Sequence, residues 1–450
     1  MTTSYFHRLV RGALLLGLVA LFAVALPGFS QENVRASGLR ASRVPTEIMF
    51  QAFPWDAAVN GQKHVWYRHL ATRADDLAVT GVTHVWFPPP TRSVAPQGYM
   101  PGDLYDLGHG EELGFNRTLY GNEKELKSCL QSLRQKDMQC LADVVINHRC
   151  GSHQDGGFWN VYHHASGKAM WEKWALVGGD NGGTGKADSG DDFGAAPDLD
   201  HTNAKVRKDL VDWMRWLKDS IGFDGWRFDY TKGYGAQYVK EYCEKTDPSF
   251  AVGELWTSLD YDQFILRPNQ NAHRQKLCDW VDGTGGLCST FDFTTKGLLQ
   301  EALKTGEFWR LRDNEGKAAG LIGWWPEKAV TFVDNHDTGS SQNHWPCPGD
   351  KVLAAYAYLM THPGIPMIFW DHFYTWGQEH HDTIQKLAQL RGQLHLSRAS
   401  KLEILVAEHG RYVGRIDGKV TVLLGGGWQP EAGWQQRMAG PGFVIWVKAQ

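Results

Sequence analysis

Eight short apolar runs, rich in β-branched and aromatic residues, alternate along this chain with longer stretches whose apolar residues repeat at helical spacing. The strand-like runs are Ile48–Phe53, His84–Phe87, Cys140–Ile146, Gly225–Tyr230, Phe250–Leu255, Ser289–Phe293, Val330–Val333 and Pro366–Trp370. The helix-like stretches are Val65–Val79, Glu123–Gln135, Ala204–Ser220, Ala236–Lys245, His273–Val281, Lys296–Thr305 and Lys351–Met360. Strands that alternate with helices predict parallel pairing, and eight of them predict an α/β fold built on a (β/α)8 TIM barrel.

Two parts of the chain depart from this alternation. A long connection rich in Gly, Asp, His and Trp follows the third strand and predicts a small inserted domain. After a last helix that ends near Leu394, short alternating runs separated by glycine predict a C-terminal antiparallel β-sheet domain. The predicted boundaries are 1–30 for a signal peptide, 44–148 and 194–394 for the barrel, 149–193 for the inserted domain and 395–450 for the sheet domain.

The N-terminal segment has the pattern of a secretory signal. Arg8 and Arg11 precede an uncharged apolar run, Gly12–Leu26, which is followed by Pro27 and small residues. The run is shorter than the about 20 residues of a membrane span, so we expect no stable membrane association. The pattern predicts a secreted protein, with an uncleaved N-terminal anchor or an organelle transit peptide as the alternatives.

Composition narrows the class of partner. The formal charge is −4 and no Lys/Arg stripe is present, which argues against a nucleic-acid partner. The 20 Trp residues favour a carbohydrate ligand, because indoles stack on the apolar faces of sugar rings. The seven cysteines contain no C-x-x-C pair, so they fit no metal spacing. Cys278 and Cys288 are close enough in sequence to form a disulfide, and buried free thiols are the alternative. The chain is expected to be a monomer.

Three carboxylates stand at the ends of separate predicted strands: Asp229 in GFDGWRFDY, Glu254 in FAVGELW and Asp337 in FVDNHD. The active sites of (β/α)8 barrels lie at the C-terminal ends of the strands, where these three acids fall. Retaining cleavage of a glycosidic bond needs a nucleophilic carboxylate and a carboxylic acid about 5–5.5 Å apart, and no cofactor. The sequence therefore predicts a sugar-cleaving site, in which a third acid can stabilise a positively charged transition state.

The neighbours of these acids predict different protonation states. Arg227 and Asp229 are two residues apart in a strand, so both side chains leave the same face and the guanidinium should keep Asp229 ionised. Glu254 has no adjacent cation in the sequence and stands beside Leu255 and Trp256. Partial desolvation should raise the pKa of Glu254 and suit it to general acid catalysis.

With these residues in place, the chain resembles the α-amylases of glycoside hydrolase family 13, and most of all the plant-type members. The resemblance runs from about Ile48 to the C-terminus. It is carried by DVVINH, GFDGWRFDY, GELW and FVDNHD in the family's order, and by GYMPGDLYDL, FDFTTKG, GWWP and THPGIP. It implies endo-hydrolysis of α-1,4 bonds in starch or related glucans by a retaining double displacement.

The resemblance also implies roles for individual residues. Asp229 is implied as the nucleophile, Glu254 as the general acid/base and Asp337 as the transition-state stabiliser, whereas Asp334 is expected to be structural and Asp143 to brace Arg227. The implied substrate contacts are Tyr99, His148, Arg227, Lys232, Trp256, His336 and a surface pair, Trp324 and Trp325.

Calcium is the implied cofactor. Asn147, Asp188 and Asp198 offer the hard oxygen donors that Ca²⁺ prefers, and the backbone carbonyls of Asp191 and Gly233 would add to them. The ion is expected to clip the inserted domain to the barrel, which is a structural role. The inserted segment diverges from the plant pattern, so the resemblance implies one calcium site and leaves the number beyond one open.

Three alternatives differ from this interpretation. An enzyme of the same family acting from chain ends, or transferring instead of hydrolysing, would have the same acids and differ in its loops. A non-catalytic relative should lack one of the three acids or Arg227, and all four are present. A barrel enzyme of other chemistry that binds phosphate near strands seven and eight would need a Gly-rich loop there, and none follows Val333 or Trp370.

Overall fold

The computed structural model describes residues 46–57, 64–108, 118–163 and 166–449. The predicted signal peptide, residues 1–30, lies outside the described residues, and its assignment stays a prediction. Within the described ranges, no helix is both long enough and apolar enough to cross a membrane.

Eight parallel strands close into a barrel in which each strand pairs with its neighbours in the chain, and the first pairs with the last. The strands are β1 Met49–Gln51, β2 His84–Trp86, β3 Gln139–Val144, β4 Gly225–Phe228, β5 Ala251–Gly253, β6 Ser289–Phe291, β7 Ala329–Phe332 and β8 Ile365–Phe369. Nearly all of their residues are buried, as expected for parallel strands covered by helices on the outside and by packed side chains within. The (β/α)8 prediction is confirmed.

The α-helices are α1 Trp66–Ala71, α2 Ala74–Thr80, α3 Glu123–Arg134, α4 Ala204–Trp216, α5 Ala236–Thr246, α6 Asn271–Gly283, α7 Phe293–Thr305, α8 Val352–Thr361 and α9 Gln378–Gln393. The single helix predicted over Val65–Val79 is wrong, because α1 and α2 are separate. Thr72 interrupts it: its hydroxyl and its backbone N–H both donate to the carbonyl of His69, at 2.7 and 3.2 Å, which replaces the regular helical pattern. The helix predicted over Ala204–Ser220 ends instead in a π-helical turn, Leu217–Ile221.

The segment between β3 and α4 contains a hairpin, His153–Asp155 with Phe158–Val161. A bridge between His148 and Asp198 joins its beginning to its end, which returns the chain to the barrel next to where it left. This segment contains the predicted inserted domain, whose boundaries at 149 and 193 stay predictions.

A separate antiparallel sheet follows α9. It consists of β9 Leu402–Glu408, β10 Arg411–Ile416, β11 Val420–Gly425, β12 Trp434–Gly440 and β13 Phe443–Lys448, in the spatial order β9, β10, β11, β13, β12. The predicted C-terminal β-sheet domain is therefore confirmed. All seven cysteines are free and six are buried, so the possible Cys278–Cys288 pair is wrong and the buried-thiol alternative holds.

Candidate active site

A cleft of about 670 Å³ opens at the C-terminal ends of the barrel strands. It is lined by Trp55, Tyr99, His148, Asp191, Phe193, Asp229, Tyr230, Lys232, Glu254, Trp256, Thr257, Ser258, His336, Asp337, Gln342 and His344. All three predicted acids thus converge on one cavity, because each directly follows, or lies a few residues beyond, the end of a parallel strand.

Arg227, predicted as a substrate contact, does not line the cleft but is buried behind it, where it pairs with two of the acids that do. Its side chain is fully buried in β4, and Nη1 lies 2.8 Å from Asp143 Oδ1 and 2.6 Å from Asp229 Oδ1. Its other terminal nitrogen, Nη2, lies 2.7 Å from Glu254 Oε1. The predicted bracing of Arg227 by Asp143 is present. The expectation that Glu254 has no cation beside it is wrong, because β4 and β5 are neighbours in the barrel and bring the two side chains together.

Glu254 nevertheless carries the electrostatic signature of a general acid. Burial raises the pKa of Glu254 and outweighs the opposing effect of Arg227, while the charges of Asp229, Asp337 and Asp143 raise it further. The cause is thus partly the predicted desolvation and partly repulsion between carboxylates that the sequence did not reveal. Such a group retains its proton at a pH where an ordinary glutamate is ionised.

Asp229 directly follows β4 and lines the cleft, and its side chain is 10% exposed. The Asp229 backbone N–H donates to the carbonyl of Val144 on β3 at 3.1 Å, so the residue continues the barrel hydrogen bonding. Its Oδ1 accepts from Arg227, as predicted from the two-residue spacing. One guanidinium therefore bridges the candidate nucleophile and the candidate acid, an arrangement compatible with the about 5–5.5 Å that a retaining pair requires.

Asp337 and Asp334 have different environments although they are three residues apart. Asp337 lines the cleft, its side chain is 22% exposed, and it accepts a hydrogen bond from the amide of Gln342. Asp334 is buried and pairs with Lys296 at 2.8 Å. Burial opposes ionisation of Asp334, but Lys296 and His372 outweigh it and hold its pKa below the ordinary value. Asp334 is a buried structural anion, as expected from the motif.

Aromatic stacking fixes the ring plane of one predicted substrate-binding histidine. His336 is buried, and its ring stacks on Tyr99 at 5.0 Å between centroids and 11° between planes. Trp55 stacks on the same two rings, at 5.9 Å from His336 and 5.8 Å from Tyr99. The Tyr99 hydroxyl donates to Asp143 Oδ2 at 2.7 Å, which ties this stack to the Arg227 network.

The second predicted histidine, His148, also lines the cleft and contacts the backbone of Tyr99. Its Nε2–H donates to the Tyr99 carbonyl at 2.9 Å and its ring stacks on Phe193 at 3.7 Å. Burial lowers the pKa of His148, so the ring is neutral near pH 7. Both histidines are thus held as uncharged hydrogen-bonding groups in the cleft wall.

The remaining predicted contacts divide into two places. Lys232 and Trp256 line the cleft; the ammonium of Lys232 lies 4.9 Å from the ring centroid of Tyr230, and Trp256 stacks on Phe293. The predicted surface pair, Trp324 and Trp325, does not line the cleft but packs partly buried against the core. The guanidinium of Arg274 covers one face of Trp324 at 3.5 Å from its centroid. A starch-binding role of this pair stays a prediction.

Sequence reasoning missed several cleft residues: Trp55, Phe193, Gln342 and His344. Trp55 was detectable, because it follows the first predicted strand by only two residues. Phe193 was placed at the boundary of the inserted domain, and nothing local to it indicates that it reaches the barrel. Gln342 and His344 lie in the loop after β7, whose path only the tertiary structure gives.

Three of the predicted calcium donors, Asn147, Asp198 and Gly233, lie together in a buried position. Asn147 Nδ2 donates to Asp198 Oδ1 at 2.7 Å, while the buried Asn147 Oδ1 has no hydrogen-bond partner among the described residues. A side chain on Gly233 would collide with this oxygen, which explains the glycine. An unpartnered buried carbonyl oxygen suits a hard cation.

Carboxylates crowd at the same position. Asp180, Asp192 and Asp198 bring carboxylate oxygens within 4.8 Å of one another. Burial and the charges of Asp188, Asp180 and Asp192 raise the pKa of Asp198 to about 7 despite a hydrogen bond from Phe193. A bound divalent cation would relieve this repulsion, so the donor set fits calcium. Asp180 and Asp192 were absent from the predicted set. Asp188 and Asp191 lie beside the cluster, since the Asp188 Oδ1 accepts from the N–H groups of residues 189 and 190 and the Asp191 N–H donates to the Lys232 carbonyl.

Comparison with known proteins gives the same picture. Residues 394–447 match the family described as "Alpha-amylase C-terminal beta-sheet domain". The chain is 43% identical over 423 residues to "Probable alpha-amylase 2" of Arabidopsis thaliana, which covers 93% of this chain and 98% of that protein. It is 39% identical over 442 residues to "Alpha-amylase 3, chloroplastic" of the same plant, covering 95% of this chain and 48% of that protein.

A solved structure shares the fold at much lower identity. An alpha-amylase from Malbranchea cinnamomea superposes with a TM-score of 0.65 at 17% identity, covering 89% of this chain and 96% of that one. The barrel, the C-terminal sheet, the convergent acids and the full-length similarity to a plant relative agree. This chain belongs to the α-amylase family of glycoside hydrolases.

Proposed function

We propose that this protein is a secreted, calcium-dependent, endo-acting α-amylase that hydrolyses internal α-1,4 bonds of starch and related glucans with net retention. The observation that supports it most is the bridging of Asp229 and Glu254 by the buried Arg227, with Asp337 across the same cleft. The two plant relatives named as alpha-amylases support the substrate class.

In the first step, a carboxylate oxygen of Asp229 attacks the anomeric carbon and the bond from that carbon to the glycosidic oxygen breaks. Glu254 gives its proton to the departing oxygen, which leaves as the hydroxyl of the shortened glucan. A covalent glycosyl–enzyme ester remains on Asp229. The raised pKa of Glu254 suits this step, because the group must arrive protonated.

In the second step, the ionised Glu254 takes a proton from water, and the water oxygen displaces Asp229 at the anomeric carbon. Two inversions give net retention, and both residues return to their initial states. Asp337 supports both steps by its negative charge beside the oxocarbenium-like transition state. The neutral His336 and His148 offer hydrogen bonds that position the ring without adding positive charge.

Calcium would be held by Asn147 and Asp198 with the neighbouring carboxylates. When bound it would supply structural cohesion, because its ligands come from the end of β3 and from the segment leading into α4. The chemistry requires only the carboxylates and water.

The test combines products, stereochemistry and one variant. We expect purified enzyme with calcium to lower the viscosity of soluble starch quickly, to release mixed oligosaccharides, and to give first products in the α-anomeric form by NMR. Asp229→Asn keeps the shape but removes the nucleophilic charge, and it should lower kcat by several orders of magnitude. One dominant product with slow viscosity loss would favour the exo-acting alternative, and near-wild-type activity of Asp229→Asn would reject the assignment.

A further inference from the structure

Gln51 is a buried amide at the end of β1 that the reaction described above does not use. It stands in register with Trp86 of β2 and Phe369 of β8, and its side chain is fully buried below the cleft. Its Nε2 lies 2.9 Å from His336 Nδ1. The Gln51 amide thus contacts the Nδ1 edge of the His336 ring. The opposite edge of the ring, Nε2, faces Asp337.

The orientation of the amide follows from what each choice leaves unpaired. If the Gln51 Nε2–H donates to His336 Nδ1, the Gln51 oxygen has no partner among the described residues. If the amide is flipped so that its oxygen accepts from Nδ1–H, both amide N–H groups are left without a partner there. Unpaired buried donors are rarer than under-satisfied carbonyl oxygens. The reverse would also leave His336 Nε2 unprotonated, with its lone pair 3.5 Å from the Asp337 carboxylate.

Stacking does not decide the protonation of the ring by itself. Tyr99 and Trp55 hold the plane of His336, at 11° and 19° to their own rings, but either neutral tautomer fits the same plane. Only a group at the ring edge distinguishes Nδ1 from Nε2. Burial and the charge of Arg227 keep the pKa of His336 well below its ordinary value, so the ring carries one proton near pH 7.

We propose that Gln51 is a positioning residue that fixes His336 as its Nε2–H tautomer, so that His336 presents a hydrogen-bond donor to the sugar ring beside the acceptor Asp337. At 3.5 Å the Nε2–Asp337 contact is too long for a good hydrogen bond, which leaves this donor available to a substrate hydroxyl. A sugar hydroxyl can then accept from His336 and donate to Asp337 at once. The expected effect of Gln51 on the reaction rate rests on the proposed function, whereas the assignment of the His336 tautomer does not.

The test is nitrogen-15 NMR of histidine-labelled protein, with His336→Asn used to assign the His336 signals by their loss. We expect wild-type protein to show an unprotonated Nδ1 and a protonated Nε2. Gln51→Met has a similar length and cannot donate, so it should show a mixture of tautomers. Gln51→Glu accepts instead of donating, and should place a proton on Nδ1. Gln270→Met, which removes another buried amide, should leave the His336 signals unmoved.

Kinetics give a second readout. Gln51→Met should lower kcat on starch about tenfold with a smaller change in KM, which corresponds to the roughly 1.4 kcal/mol of one well-placed hydrogen bond. A wild-type Nδ1–H tautomer, or an unchanged Nε2–H tautomer in folded Gln51→Met, would overturn the proposal. Wild-type protein inactive on starch would instead reject the proposed function, since the NMR assignment needs no substrate.

Discussion

Arg227 Nη2 lies 2.7 Å from Glu254 Oε1, so the guanidinium that pairs with the candidate nucleophile also pairs with the candidate acid. The two carboxyl groups therefore share one buried cation. Asp143 adds a third carboxylate on Nη1 of the same guanidinium. The charge balance of the site therefore depends on one side chain.

Arg227→Lys should nearly abolish activity. An ammonium is a point charge and cannot contact three carboxylates as a planar guanidinium does. We expect kcat on starch to fall about 10²–10³-fold, and the free energy of unfolding to fall by about 3–5 kcal/mol because buried carboxylates lose their partner. Steady-state kinetics and urea unfolding measure both. The control is Arg134→Lys, whose pair with Asp224 is 43% exposed on the arginine side and should matter little for activity.

Activity should fall as the pH rises through the raised pKa of Glu254. The acid must be protonated to act, and its pKa is raised in the folded enzyme, so the active form persists above the pH at which an ordinary glutamate ionises. In Glu254→Gln the fall in activity at alkaline pH should disappear, because the group that titrates is gone. The variant should be nearly inactive on starch but retain the first step on a glycosyl fluoride, whose leaving group needs no proton. Equal losses on both substrates would argue against the assigned role.

Asp334→Asn and Asp337→Asn should fail in different ways. The first leaves Lys296 buried without its charge partner, so we expect the free energy of unfolding to drop by about 3–5 kcal/mol. The second changes a 22% exposed cleft carboxylate, so stability should stay near wild type while kcat falls by at least about 10²-fold. Thermal unfolding with kinetics separates them. Full stability of Asp334→Asn would contradict the structural role.

Chelation should destabilise the wild-type protein and spare one variant. Asn147→Leu removes the unpartnered buried oxygen, so its Tm should lie below that of the wild type and should not change when calcium is chelated. The change in Tm on chelation is also compared for Asp180→Asn and Asp188→Asn. The first variant tests a clustered carboxylate, and the second tests a donor predicted by sequence. A wild-type Tm that is indifferent to chelator would reject a structural calcium ion.

Much of this protein follows from local sequence. The eight strands and the C-terminal sheet could be predicted because hydrophobic periodicity repeats with clear boundaries. Asp229, Glu254 and Asp337 could be placed together because the C-terminal ends of parallel strands meet at one face of a barrel. The two-residue spacing of Arg227 and Asp229 gave their ion pair, because side chains alternate along a strand.

The contacts between elements far apart in the chain were decided by the tertiary structure. Glu254 pairs with Arg227 because β4 and β5 are adjacent in the barrel. The two residues are 27 positions apart in the chain, so local sequence patterns do not predict their contact. Asp180 and Asp192 join Asp198 because the segment after β3 folds back on itself, and Gln51 meets His336 because β1 and β7 both flank β8 in the closed barrel. Sequence patterns report which face of an element is buried, whereas pairing of charges and hydrogen bonds depends on which elements closure of the barrel brings together.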